Sequence, residues 1–413
     1  LSGATPRLAV VLSGGGARGA YEVGVLSYLF EEFAPSRQVP VPVSIVCGTS
    51  VGAINSAYLA ASLSQPREGL RKLVELWENL EIDRVLGFGW RQAAGLPRFL
   101  LTGRGHGLFD VTPMARLITR EVPWREISAS LQGGHLRALS ITCTEVITGR
   151  TVLFMQTGPS TALPAHAPPR ALIRADRIGP NHVLASAALP ILFPPVRVGQ
   201  ELYMDGGLRQ NTPVAPALRL GATHALVVST ARAVSGVRVG KPGEEPTTAF
   251  LLGKIMNALL LDHLENDLAN VGLINDLLLN GEAAYGPDFV ERLNRAAVLR
   301  GGRVVQPVKT ISVRPSVPLS VLGAEYLKKH TIRTRSQLAR RLLEWLDSGS
   351  EADLASYLLF DGGYARQLIE LGRADARAQR QALGDFFAEL EGGPIEGPPD
   401  PGSGYSFTPP AVG

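Results

Sequence analysis

A short branched apolar run at residues 7–13 (RLAVVLS) opens directly into Gly14-Gly15-Gly16-Ala17-Arg18-Gly19. Behind the glycines, apolar residues at 23, 26, 29, 30 and 33 recur at helical spacing. A buried strand that turns through glycines into a helix belongs to a layered α/β fold. The arrangement then repeats. A second apolar run, 42–47, passes through Gly48-Thr49-Ser50-Val51-Gly52 into a small-residue helix over 51–63.

Further along, the spacing predicts a helix over 66–80 and strands at 139–144, 151–155, 196–204, 224–229 and 309–313. Thr212-Pro213 reads as a helix start, because Thr accepts from orphan amides and Pro suits the first helical position. Residues 86–110, rich in Gly and aromatics, read as a long loop with short helical pieces. Strands alternating with helices give an α/β fold class with a mostly parallel central sheet. The pattern turns helical over 247–300 and 334–390, and Gly and Pro dominate 392–413, which is expected to be a disordered tail.

Composition narrows the chemistry. With 45% hydrophobic and 19% charged residues among 413, global disorder is excluded. Two cysteines, Cys47 and Cys143, are too few for a disulfide scaffold or a Cys-rich zinc site. No apolar run reaches the roughly 18 residues of a membrane span. The first residues show no basic start and long apolar run, so a cytoplasmic chain or one peripheral to a membrane is expected. The numbering begins at Leu1, which leaves a removed targeting segment open. A net charge of +4 without any long Lys/Arg run fits arginine-studded solvated faces better than a nucleic-acid surface. It is also compatible with approach to anionic lipid.

Gly14, Gly16 and Gly19 satisfy G-x-G-x-x-G, whose amides suit a pyrophosphate or a transient oxyanion. A ligand-free turn is the plainer alternative. Against a dinucleotide, the next strand ends at Cys47-Gly48-Thr49-Ser50, where a ribose-binding carboxylate would be expected. That strand end instead carries G-x-S-x-G, with Ser50 flanked by Thr49 and Val51 between Gly48 and Gly52. Such a turn exposes a strained serine hydroxyl at the start of a helix, whose positive end favours a developing alkoxide. None of the seven histidines lies where a triad partner would. His263 with Asp262, Glu265 and Asp267 lacks metal-ligand spacing and reads as a solvated helix face. The remaining base candidate is Asp205, delivered by an apolar strand into Gly206-Gly207; alone, D-G-G is usually a turn.

Taken together, Gly14 to Gly19, Gly48 to Gly52 and Asp205 to Gly207 resemble the motifs of the patatin-like phospholipases, in the family's order. Ala185-Ser186-Ala187-Ala188-Leu189-Pro190 with Phe193-Pro194-Pro195 adds to the similarity, which covers about 7–230. The resemblance implies a three-layer catalytic domain over 7–230; beyond it the sequence pattern is read as a mainly helical extension over 231–391 with a possible strand at 309–313. It implies lipid acyl hydrolysis by a Ser–Asp dyad, with Ser50 as nucleophile and Asp205 as general base. In that scheme backbone amides around Gly15, Gly16 and Ala17 form the oxyanion hole, and Arg18 fixes the loop or its charge. No cofactor or metal is required, and the partner is a lipid or phospholipid substrate, with peripheral membrane contact and no nucleic acid. An acyl groove is expected from Leu86, Phe88, Trp90, Leu96, Phe99, Leu100 and Leu101 with the 250–261 helices, although ordinary core packing explains them equally well. Two other functions stay open: a non-catalytic lipid-binding or regulatory protein on the same fold, and a nucleotide-binding protein using the glycine loop. Head group, acyl position and oligomeric state are not encoded in any motif.

Overall fold

The computed structural model describes residues 6–87, 107, 109–167, 170–231, 264–302, 304–330, 332, 334, 336 and 352–390. Five strands form its centre: β1 (Leu8–Leu12), β2 (Val43–Thr49), β3 (Ala138–Glu145), β4 (Thr151–Thr157) and β5 (Ala171–Ala175). With β8 (His224–Val228) and β9 (Lys309–Val313) they lie in the order β5-β4-β3-β2-β1-β8-β9. From β3 to β9 every neighbouring pair is parallel, and β4 runs antiparallel to β3. The sheet is thus mostly parallel, as its alternation with helices requires.

Strand residues point alternately to opposite faces. Leu8, Val10 and Leu12 of β1 join one apolar cluster, and Ala9 and Val11 join the other. All five are fully buried, so helices cover both faces and the fold has three layers. The larger layer contains α1 (Ala20–Ser27), α2 (Val51–Ser62), α3 (Pro66–Glu78), α4 (Thr112–Glu121) and α5 (Trp124–Gln132). The smaller one is built on α7 (Val214–Arg219) and α8 (Leu264–Tyr285), with α6 (Pro180–Ser186) on the other side beside β3. α9 (Phe289–Leu299) packs beside α8.

The later helices α10 (Leu319–Lys329), α11 (Ala352–Leu358), α12 (Gly362–Ala378) and α13 (Arg380–Leu390) contribute buried side chains to the larger cluster. α12 lies directly on α1: a Cβ at Gly24 would fall 2.1 Å from Ile369 O, and one at Gly372 2.3 Å from Tyr21 O. Glycine on both helices is what permits that backbone approach.

Several boundaries differ from the sequence pattern. Residues 196–204 are not one strand but a hairpin of β6 (Val196–Val198) and β7 (Glu201–Asp205), turned at Gly199 with φ 61°. The helix at 20–33 changes to a π-helical stretch over Tyr28–Phe33 before continuing to Arg37. The helix expected to start at Thr212-Pro213 starts at Val214, with Pro213 as its N-cap. The expected tail at 392–413, the 250–261 helices, Asp262, His263 and all the proposed groove residues between 88 and 101 lie outside the described residues.

Candidate active site

β3 is longer than β2, and this register builds the site. β2 pairs with β3 as far as Thr49 opposite Thr142. One residue further, Cys143 of β3 pairs with Asp205, because β7 enters antiparallel in the place that β2 vacates. Ser50 therefore turns away at the point where Asp205 arrives. Thr49 Oγ1 donates to Gln210 O at 3.1 Å and ties the serine turn to the segment after the aspartate.

Ser50 caps α2 with φ 56° and ψ −126°, a strained conformation for a residue with a side chain. The turn needs its glycines for close approach. A Cβ at Gly48 would meet Gly52 O at 2.3 Å, and one at Gly52 would meet Leu12 O and Ser13 O at 2.5 Å. Ser186 supports the turn from α6: its Oγ accepts the Ser50 amide at 2.9 Å and donates to Thr142 O at 2.6 Å. Ser186 lies within the Ala185–Pro190 similarity, but nothing local in the sequence marked it as a support for Ser50.

Asp205 is fully buried, and burial pushes its carboxyl from 3.8 up to about 7. The Ser50 hydroxyl and the Gly207 amide oppose that shift. Gly207 N donates to Oδ1 at 2.7 Å, while Oδ2 has no hydrogen-bond partner among the described residues. The backbone is pinned on both sides, with the Asp205 amide donating to Ala188 O and Thr144 Oγ1 donating to Asp205 O, each at 2.9 Å. Gly206 packs on Thr142, where a Cβ would lie 2.2 Å from its carbonyl. The Asp205 carboxyl is thereby held where the Ser50 hydroxyl interacts with it.

The glycine loop forms the opposite wall. Gly14 donates to Asn211 O at 3.1 Å, and its carbonyl accepts from Thr230 Oγ1 at 2.7 Å. Arg18 N donates to Gly15 O at 3.1 Å, closing a 3₁₀ turn over Gly16–Gly19. Between those engaged amides, the amides of Gly15, Gly16 and Ala17 have no acceptor among the described residues. Gly16 has φ 57°, a conformation that favours glycine. Gly19 O accepts from Asn55 Nδ2 at 3.1 Å, which joins the loop to α2. Asn55 also donates to Glu22 at 2.9 Å and accepts from Trp77 Nε1 at 3.2 Å. Glu22 is fully buried, and desolvation pushes it up to about 8.

From Ser50 an apolar cavity of about 100 Å³ runs along α2. Val51, Ile54 and Tyr58 provide one wall, and Trp77, Leu117 and Phe193 are among the residues that close it. The groove is therefore formed by α2, α3 and α4. Leu86 instead sits in the core at 1% exposure. The structure brings Gly14–Gly19, Gly48–Gly52 and Asp205–Gly207 to one place, and no histidine is among the described residues that line the cavity. His182, for example, is buried between Asp176 and the Phe154 ring.

The family model described as "Patatin-like phospholipase" matches residues 10–218, half of the chain and all three glycine-bearing motifs. The chain belongs to the patatin-like phospholipase family. Among curated proteins, this patatin-like chain is 29% identical over 204 residues to a "cGAMP-activated phospholipase" of Pseudomonas aeruginosa (strain BWHPSA011 / Pa011), covering 49% of this chain. It spans 53% of that relative's length. Among solved structures, it is similar to human GIVD cytosolic phospholipase A2 at 12% identity and a TM-score of 0.42, covering 94% of this chain and 60% of that one. VipD from Legionella pneumophila is similar at 14% identity and a TM-score of 0.30, covering 94% and 76%.

Proposed function

We propose that this chain hydrolyses carboxylic ester bonds of phospholipids or related lipids, with Ser50 as nucleophile and Asp205 as general base. The observation that carries the reading is a strained, buried serine that lines an apolar channel and whose hydroxyl interacts with the buried Asp205 carboxyl.

Ser50 Oγ attacks the ester carbonyl as its proton passes to Asp205 Oδ2. The negative charge that develops on the carbonyl oxygen is met by the amides of Gly15, Gly16 and Ala17 and by the N-terminus of α2. Collapse of the tetrahedral intermediate breaks the bond to the alcohol or lysolipid, which takes the proton from Asp205. Water, deprotonated by the same carboxylate, then attacks the acyl-Ser50 carbonyl; the acyl–Oγ bond breaks, Ser50 Oγ takes the proton back from Asp205, and the fatty acid leaves. Each single oxyanion donor is worth roughly 3 kcal/mol in such chemistry, so the loop matters about as much as the dyad. A carboxyl raised to about 7 is better matched to a serine proton than one at its ordinary value.

The test is fatty-acid release from phosphatidylcholine and phosphatidylglycerol vesicles. The wild-type chain is expected to release fatty acid, and Ser50→Ala to release none above background. Equal release by both would end this reading, whereas vesicle binding without release would favour a lipid-binding protein.

A further inference from the structure

Arg18 stands in the middle of the glycine loop, yet it is only 6% exposed. A guanidinium removed from water needs close polar or aromatic partners. Here they come from α11, far beyond the family-matched region. Arg18 Nε and Nη2 both donate to Ser356 Oγ, at 2.9 and 2.6 Å. The guanidinium carbon also lies 3.8 Å from the centroid of the Tyr357 ring, a stacked cation–π contact.

The backbones meet as well. A Cβ at Gly16 would lie 2.4 Å from Tyr357 O, so the loop rests on the main chain of α11. α11 is itself seated firmly. Ser356 is fully buried, and a Cβ at Gly323 of α10 would fall 2.9 Å from Ser356 Cβ. Tyr364 Oη, at the start of α12, donates to Leu319 O at 3.0 Å across the same junction. Tyr357, Leu358 and Phe360 then continue as wall of the channel beside Ser50.

We infer that Ser356 and Tyr357 are positioning residues for the oxyanion loop, acting through Arg18 and Gly16, so that ester cleavage at Ser50 depends on α11. The inference rests on the hydrolytic reading of Ser50. Oxyanion donors work only within a narrow distance of the developing charge, and a displacement of about 1 Å costs on the order of 100-fold in rate. Removing the Ser356 hydroxyl takes away the acceptor of both these contacts and loosens the hold of α11 on the loop. The channel walls stay in place, so substrate binding changes little while turnover falls.

The experiment compares wild type, Ser356→Ala and Ser356→Thr on p-nitrophenyl butyrate, together with amide hydrogen exchange over residues 14–19. Ser356→Ala is expected to lower kcat by about tenfold or more with KM within about twofold, and to speed exchange in the loop but not in α2. Ser356→Thr, which keeps the hydroxyl, is expected to restore both. Arg18→Lys, which keeps the charge but not the two-nitrogen contact, is expected to reproduce the kcat loss should Ser356→Ala fail to fold. In the Arg18→Lys background, Ser356→Ala is expected to add little. A Ser356→Ala protein that melts earlier but keeps wild-type kcat and loop exchange would overturn the inference. A wild type without esterase activity would overturn the hydrolytic reading instead, and loop exchange alone would then decide whether α11 holds the loop.

Discussion

An aspartate in water, with a pKa of about 3.9, is a feeble acceptor for a serine proton. Asp205 is fully buried, with its pKa raised to about 7, and one oxygen is occupied by Gly207 while the other is left open. As a base it must be ionised, so kcat/KM on a soluble ester is expected to fall as pH drops through about 7 and to level off above it. A flat profile between about pH 5 and 8 would contradict this. Asp205→Asn is expected to cost about 10³-fold in kcat. It is also expected to melt at a higher temperature than wild type at pH 8. The sign follows from the raised pKa: the folded state holds the proton more tightly than the unfolded chain, so ionisation above about pH 7 works against folding, and Asn removes that penalty. The proposed nucleophile is held in a similar way, since Ser50 keeps its φ of 56° where Ser186 and the two glycines support it.

At the scale of elements, the channel follows α2. Ser50 and Tyr58 are eight residues apart, about 12 Å along a helix. Ile54 lies between them on the same face and lines the cavity. Ile54→Trp is expected to raise KM for long-chain esters by about tenfold or more while leaving butyrate hydrolysis within about threefold. Equal effects on both chain lengths would mean that the acyl group lies elsewhere. The local elements of this region were legible in sequence because each is announced by its own residues. Branched apolar runs mark β1 and β2, and glycines mark the turns into α1 and α2. What was not legible depends on partners distant in the chain. Ser186 reaches Ser50 across 136 positions and Ser356 reaches Arg18 across 338, and neither serine has a neighbour that advertises the contact. The described cavity was not legible for a related reason. Its walls come from Ile54, Trp77 and Leu117, whose helical spacing reads as ordinary core. The β6–β7 hairpin was missed because Gly199-Gln200 is only a two-residue turn between segments too short to stand out as separate strands.

Across the whole molecule, two buried carboxyls sit between the layers that carry the chemistry. Glu22, pushed up to about 8, and Asp205, pushed up to about 7, both hold protons more tightly in the folded state than in the unfolded chain. Their contribution to stability is therefore greatest at low pH and is lost as pH rises through those values. The melting temperature is expected to decline from about pH 4 to about pH 8, with Glu22→Gln flattening that decline, most clearly between about pH 7 and 8 where Glu22 alone of the two still titrates; an unchanged slope in the variant would contradict the assignment. The helices after residue 350 belong to the same cooperative body, through the Gly24–Gly372 crossing, the Tyr21–Asp375 hydrogen bond and the seat of α11 under the loop. On the proposed reading, hydrolysis would draw on two strand-ends, a glycine loop and a helix brought from the far end of the chain.

The most direct measurement is intact-mass analysis after reaction with a long-chain fluorophosphonate, followed by mapping of the modified peptide. One adduct per chain on Ser50, none on Ser50→Ala and a slow adduct on Asp205→Asn is the expected result. An adduct that forms equally on Ser50→Ala, or that maps to another residue, would contradict the assignment of the site.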